Sequence, residues 1–207
     1  MRRHTHRHPH RHPHRTLRLL LLLIGALVTL PLAAAAGQER PPAERAELDA
    51  AVSRIRRRYA IIERGLPDYV HVRRDLAPGQ YSTEGGEVDG WFSDAGVRKI
   101  AARHLGETGR LREQLYFWND TLIFAYQVEE QYERPLSSEL ADSGGFVRVV
   151  RRAEHRYYFA DTTLVGYIGA RRGRGVQPPP PEVRERAADL RRMAVELRAL
   201  VGKGEPR

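Results

Sequence analysis

From Pro42 onward the apolar positions recur in alternating steps of four and three. Leu48, Val52, Ile55, Tyr59 and Ile62 fall on one stripe, and Gly65 and Pro67 end it. The pattern predicts a helix over 42–64. Pro42 suits a first helical position, and Glu44 and Glu47 complement the positive end of the dipole. The same period returns after Pro178–Pro181, where Val183, Ala187, Leu190, Ala194, Leu197 and Val201 share one side. A second helix is expected over 181–201, stopped by Gly202, with Arg184, Arg191, Arg192 and Arg198 on its polar side. Both stripes read as faces that support a core; a stripe this narrow also suits a partner-binding seam.

Between the helices the period changes to two, and a motif repeats. Trp91-Phe92-Ser93-Asp94-Ala95-Gly96-Val97, Tyr116-Phe117-Trp118-Asn119-Asp120-Thr121-Leu122 and Tyr158-Phe159-Ala160-Asp161-Thr162-Thr163-Leu164 share the form aromatic-Phe-x-Asp/Asn-x-Gly/Thr-aliphatic. Asn and Asp tolerate positive φ, so each copy reads as a tight turn between two strands. Six strands follow: 85–93 with 96–105, 110–118 with 121–131, and 147–160 with 163–171. Gly106–Gly109 is a tight connection, and Pro135–Gly145 a longer polar one. Strict alternation from two-residue turns sets Phe117 opposite Leu122, Leu115 opposite Phe124, Glu113 opposite Tyr126 and Leu111 opposite Val128. In the last hairpin it sets Phe159 opposite Leu164, Tyr157 opposite Gly166 and His155 opposite Ile168. Phe92, Phe117 and Phe159 then define an inner face. The outer face collects Trp91, Ile100, Tyr116, Trp118, Ile123, Tyr158, Val165 and Tyr167.

This hairpin repeat resembles the MORN-like repeats of bacterial toxin–antitoxin-associated proteins, and also exported bacterial proteins of unknown function. The resemblance covers about residues 85–170, with Asn-Asp, Asp-Ala and Asp-Thr where such repeats usually carry Asn-Gly. It implies a twisted antiparallel sheet built by hairpin addition and no activity. The fold class expected is α+β: a six-stranded antiparallel meander with an N-terminal and a C-terminal helix packed on it.

The first 36 residues read as a secretory signal peptide. Met1–Arg18 holds six arginines and no acid, Leu17–Leu32 is apolar, and Ala33–Ala36 supplies small residues before a cleavage site ahead of Gly37. The expected product is one domain over 37–207, exported to the periplasm or beyond. The apolar run is 16 residues long, short of the ~20 needed to span a bilayer, so no permanent membrane anchor is expected. Removing the leader changes the charge picture. It takes six of 35 basic residues and none of 26 acidic ones, leaving 29 against 26. Most of the basic excess that would point to nucleic acid leaves with it, and no nucleic-acid partner is expected. Six of the nine histidines (His4, His6, His8, His10, His12 and His14) also lie in the leader. That tract is metal-binding in type but precedes the cleavage point. The chain has no cysteine, which excludes disulfides, thiolate metal sites and thiol nucleophiles.

Catalytic signatures are missing: there is no G-x-S-x-G, H-E-x-x-H, P-loop or dinucleotide fingerprint. His71, His104 and His155 are dispersed, with His155 expected inside as a core histidine. Lys99 and Glu113 are placed on the inner face, as an acid–base pair or near a sheet end with Glu113 meeting Arg103. Glu129–Glu133 lacks the carboxylate spacing of a calcium loop. No cofactor or metal is expected. The basic run Arg148, Arg151, Arg152 and Arg156, with Arg171, Arg172 and Arg174, suits either an anionic polymer or a solvated edge hairpin.

The candidate partner face is Trp91, Arg98, Arg112, Tyr116, Trp118, Arg152, Arg156, Tyr158 and Tyr167, because aromatic rings beside guanidinium groups stack on and pair with anionic or sugar-bearing partners. Pairs such as Arg156 with Tyr167 also stabilise a solvated sheet face on their own, and a helix laid over the face would remove it. The expected function is an exported, non-catalytic binding or accessory protein that meets an envelope polymer or a protein partner. The alternative is a periplasmic or secreted hydrolase with scattered acid–base residues. A deep pocket holding His71 or His104 beside Asp68, Asp75 or Glu113 points to the hydrolase; an open aromatic–arginine face points to binding.

Overall fold

The computed structural model describes residues 41–136, 147–170 and 175–202. The expected leader and cleavage site lie outside the described residues, as do Arg171, Arg172, Arg174 and most of the 135–145 connection. Helix α1 spans Pro42–Gly65 and runs into a short 3-10 turn, Leu66–Asp68. Seven strands follow: β1 (Val70–Leu76), β2 (Gly86–Ser93), β3 (Gly96–Gly106), β4 (Gly109–Trp118), β5 (Thr121–Tyr132), β6 (Val149–Ala160) and β7 (Thr163–Ile168). Helix α2, Pro181–Gly202, ends the described chain. The strands form one antiparallel sheet in sequence order, β1 to β7, so every neighbour in space is a neighbour in sequence. The fold is α+β as expected. Among the described residues no helix is long and apolar enough to cross a membrane.

The expectation of six strands missed β1. Its inward positions are Val70, Val72, Arg74 and Leu76, paired with Phe92, Gly90, Val88 and Gly86. An arginine at one of four core-facing positions, beside Arg73 and Asp75, hides the alternation in a charged segment. Charges of this kind are usual on an edge strand, where they discourage further pairing.

The turn chemistry sets the three hairpins. Asn119 and Asp120 have φ of 48° and 60°, and Asp161 and Thr162 have 47° and 76°. Positive φ at both central residues matches the right-handed twist of the flanking strands. In the first hairpin Gly96 carries the positive φ instead, at 89°.

Each hairpin then carries a β-bulge one step from its turn. Register shifts fall between Trp91 and Phe92, Tyr116 and Phe117, and Tyr158 and Phe159. The extra residue on the returning strand is Arg98, Ile123 or Val165. Phe117 does meet Leu122, and Phe159 does meet Leu164. Beyond the bulge every expected pair is corrected by one residue. Leu115 meets Ala125, Tyr116 meets Phe124, Glu113 meets Gln127 and Leu111 meets Glu129. Likewise Tyr157 meets Tyr167, Tyr158 meets Gly166, and Arg156 meets Ile168 rather than Tyr167. Because side chains alternate with period two, one inserted residue moves all that follow to the opposite face. Tyr167 and Ile100 therefore belong to the inner face, in the cluster with Phe92, Phe117 and Phe159. Lys99, expected inside with Glu113, lies on the outer face opposite Tyr116.

The two helices take opposite faces. On the inner face α2 buries Val183, Ala187, Leu190, Ala194, Leu197 and Val201 against Val88, Ile100, Leu115, Phe117, Tyr157 and Phe159. Gly90 permits the close approach at the far end of α2, since a Cβ there would stand 3.0 Å from two side-chain carbons of Val201. On the outer face α1 lays Leu48, Val52, Ile55 and Ile62 on Tyr116, Ile123, Phe124 and Tyr158. Tyr59, on the same stripe, keeps one side in solvent while its ring meets Tyr116 and Phe124 at centroid distances of 4.8 and 5.6 Å.

Candidate functional site

The outer face was expected to be an open aromatic–arginine surface. The register brings His71, Trp91, Lys99, Tyr116, Phe124 and Tyr158 into one row across six strands. His71 stacks on Trp91 at 4.8 Å, and the Lys99 ammonium lies 5.4 Å from the Trp91 ring and 5.1 Å from Tyr116. Helix α1 covers the middle of this row. Glu63 reaches down to Lys99 Nζ at 2.8 Å, and the Tyr116 hydroxyl lies 2.8 Å from Glu63 Oε1 and from Gln114 Oε1. Burial, reinforced by the hydrogen bond to Glu63, raises the Tyr116 phenol above its ordinary range, so it stays protonated. Tyr116 is 0 % exposed and Tyr158 is 4 % exposed. Those two members of the candidate face are packing residues beneath α1.

The next rows carry charge, and there the arginines are matched by acids. Arg110, Arg112 and Arg152 converge on the buried Glu130, with Arg112 at 2.9 Å and Arg152 at 3.6 Å. Burial pushes the Glu130 carboxyl up, but the Arg110 hydrogen bond and the three guanidinium charges outweigh it and hold the net value below the ordinary one. Arg152 and Arg156 also pair with Glu154, and Arg156 lies 4.9 Å from the Tyr126 ring. Arg73 pairs in the same way with Asp89. Thus Arg112, Arg152 and Arg156 lie on the expected face, neutralised in place. Of the expected basic run, Arg152 and Arg156 are paired with Glu154, while Arg171, Arg172 and Arg174 lie outside the described residues.

Near the hairpin turns the balance differs. Trp118 is half-buried, and the guanidinium carbons of Arg58 and Arg98 lie 5.3 and 5.1 Å from its ring centroid. Arg98 Nε donates to Ser93 Oγ at 2.7 Å, while its Nη1 is buried with no hydrogen-bond partner among the described residues. Among the described residues no carboxylate lies in ion-pair range of Arg54, Arg58 or Arg98. A groove of about 370 Å³ opens here, lined by Arg54, Arg58, Trp118, Asn119, Thr121 and Asp161. On the other flank of α1 a second groove, about 560 Å³, is lined by Tyr59, Phe124, Tyr126, Arg156 and Tyr158. Arg54 and Arg58 were not singled out from the sequence, because they fall off the apolar stripe that defines α1. Their spacing of four, which puts both on one flank, was the available signal.

The inner face has a polar end of its own. Glu113, Gln127 and His155 stand in one cross-strand row, and His104 joins them from β3. His104 Nε2 lies 2.9 Å from Glu113 Oε2, and Gln127 Nε2 donates to Glu113 Oε1. All three are buried, at 5 %, 3 % and 7 % exposure. Glu113 thus meets His104; Arg103, its expected partner, pairs across the sheet with Glu87. His155 contacts the Tyr167 hydroxyl through Nδ1 and lies 3.9 Å from Glu129. Burial lowers its pKa below the ordinary value, with the Arg186 charge acting in the same direction and Glu129 opposing both. This is the core histidine that was expected. Beside His104 a cleft of about 480 Å³ opens between α2 and the segment around Tyr81.

No family model, curated protein or solved structure matches the chain.

Proposed function

We propose that the protein is an exported, non-catalytic binding or accessory protein that takes an anionic partner, either an envelope polymer or an acidic protein, on the Trp118 end of its outer face. One contrast carries this reading. Arg112, Arg152 and Arg156 are each matched by Glu130 or Glu154, whereas Arg58 and Arg98 converge on Trp118 with no carboxylate in range. A guanidinium stacked on an indole keeps its in-plane N–H donors for a carboxylate or phosphate, and the ring offers a flat surface to the rest of the ligand. The leader supports export, since its basic start, apolar run and small residues have the form of a signal peptide.

The hydrolase reading is favoured by the pair at the floor of the inner cleft, where His104 lies beside Glu113. An orienting carboxylate on one imidazole nitrogen is half of a general-base arrangement. The other nitrogen, Nδ1, has no hydrogen-bond partner among the described residues, so no hydroxyl is held there as a nucleophile.

Capture of the purified protein on an immobilised acidic polysaccharide tests the binding reading. Trp118→Ala and Arg58→Ala should each weaken capture at least tenfold with little change in the melting transition. Arg156→Ala should weaken it far less, because Arg156 is already paired. Capture should also fall as salt rises through the range where screening lengths reach about 8–10 Å. Equal losses in all three variants, or losses that follow the melting temperature, would sink the assignment to Trp118.

A further inference from the structure

We infer that the cleft between α2 and the Tyr81 segment is a binding site for the ammonium group of a small amine with an apolar tail. The floor supplies the argument. Glu113 receives His104 Nε2 on one oxygen and Gln127 Nε2 on the other. In the singly protonated imidazole Nε2 donates to the carboxylate and Nδ1 carries a lone pair, while the amide presents Oε1. Both atoms are buried and, among the described residues, without hydrogen-bond partners. The unfilled positions are therefore acceptors, next to a carboxylate.

The charge balance points the same way. Among the described residues no lysine or arginine lies in ion-pair range of Glu113, whose only ionic neighbour is His104. The other charges around the cleft are engaged elsewhere: Arg186 with Glu129 at 3.1 Å, Asp189 with Arg192 at 2.8 Å, and Arg110 with Glu130. A buried carboxylate with no lysine or arginine beside it is costly. A primary ammonium brings a positive charge and three donors to that carboxylate and the two orphan acceptors. A divalent cation fits poorly, because a single carboxylate already taken by two donors leaves too few anionic oxygens.

The walls set the remainder of the ligand. Tyr81, Leu105, Leu111, Leu190 and Met193 line the cleft, and its volume of about 480 Å³ suits a short alkyl or aryl chain. Met193 is half-buried, unbranched and able to rotate, so it can yield as the ammonium reaches the floor. This site is on the opposite sheet face from Trp118 and independent of the binding proposed there.

The test is a titration of the purified, isotope-labelled protein with n-butylammonium chloride, read by amide and side-chain chemical shifts, with n-butanol and sodium butyrate in parallel. The expected result is saturable shifts around His104, Gln127 and Met193 with butylammonium, at least tenfold weaker binding of butanol, and none of butyrate. Glu113→Gln should weaken butylammonium binding at least tenfold. Met193→Trp, on the cleft wall, should block it in a folded protein even if the Glu113 variant fails to fold. Equal binding of butanol or butyrate would overturn the inference. So would butylammonium binding unchanged by Met193→Trp, or no saturable shift at tens of millimolar.

Discussion

The two faces of the sheet are each covered by one helix, yet they are held in different ways. Helix α2 meets an inner face made mainly of aliphatic side chains and phenylalanine, with Tyr157 among them, and its six apolar positions are all buried there. Its stabilisation comes from apolar area and tight fit. Helix α1 meets tyrosine, phenylalanine and a lysine, and its contact includes a charge: Glu63 is bound to Lys99 and to the hydroxyl of a fully buried tyrosine. Away from the helices the faces differ again. The outer face ends in paired arginines and glutamates, and the inner face in a histidine, a glutamate and a glutamine, two of whose buried polar atoms lack a hydrogen-bond partner among the described residues. The comparison teaches that alternation decides which side chains share a face, but what the face is made of decides whether it packs, pairs or binds.

Removing a ring from the inner face should give the largest effect on stability. Phe117→Ala and Phe159→Ala should each cost about 3–5 kcal/mol, measured by urea unfolding, because both rings are enclosed between sheet and α2. Melts indistinguishable from wild type would break the claim that this face carries the core.

A smaller loss is expected where charge replaces packing. Glu63→Gln leaves Lys99 without its partner and weakens the hydrogen bond to Tyr116, and should cost about 1.5–3 kcal/mol, the range for hydrogen bonds to charged groups. A double-mutant cycle with Lys99→Met should return most of that loss as coupling. Independent, additive losses would show that α1 is held by its apolar stripe alone.

The smallest effect should appear on acidification. Burial raises the Glu130 and Asp89 carboxyls, but the arginines bound to each (with His71 on Asp89) bring both below their ordinary values of 4.5 and 3.8. A depressed folded-state pKa gives stability that is present in full above the unfolded value and is lost as pH falls through the folded one. Stability should therefore be flat with respect to these groups above pH 4.5 and decline below it. Glu130→Gln should flatten that decline while leaving the neutral-pH unfolding slope unchanged. An unchanged acid limb in the variant would remove Glu130 from the account.

Much of the architecture was legible because its signals are local. A stripe of apolar residues three and four apart specifies a helix, and an Asp or Asn between two apolar runs specifies a hairpin, whatever surrounds them. The helix limits and the three turns follow from residues within a few positions of one another. Strand β1 was hidden because Arg74 occupies a core-facing position, tolerated only because β1 lies at the sheet edge. The register beyond each turn was hidden because a bulge depends on how the twisted strand fits its partner.

The candidate site divides along the same line. The sequence by itself determined that Trp118 and Arg98 lie on the face opposite Phe117, since parity holds up to the bulge. Only the tertiary structure decided that α1 would bury Tyr116 and Tyr158, that Arg58 would reach Trp118, and that His104 would meet Glu113 across two strands. Each of these depends on which face a helix takes or on a pairing shifted by one residue. Neither is encoded in a local pattern, because both are settled by the packing of the whole sheet against two helices at once.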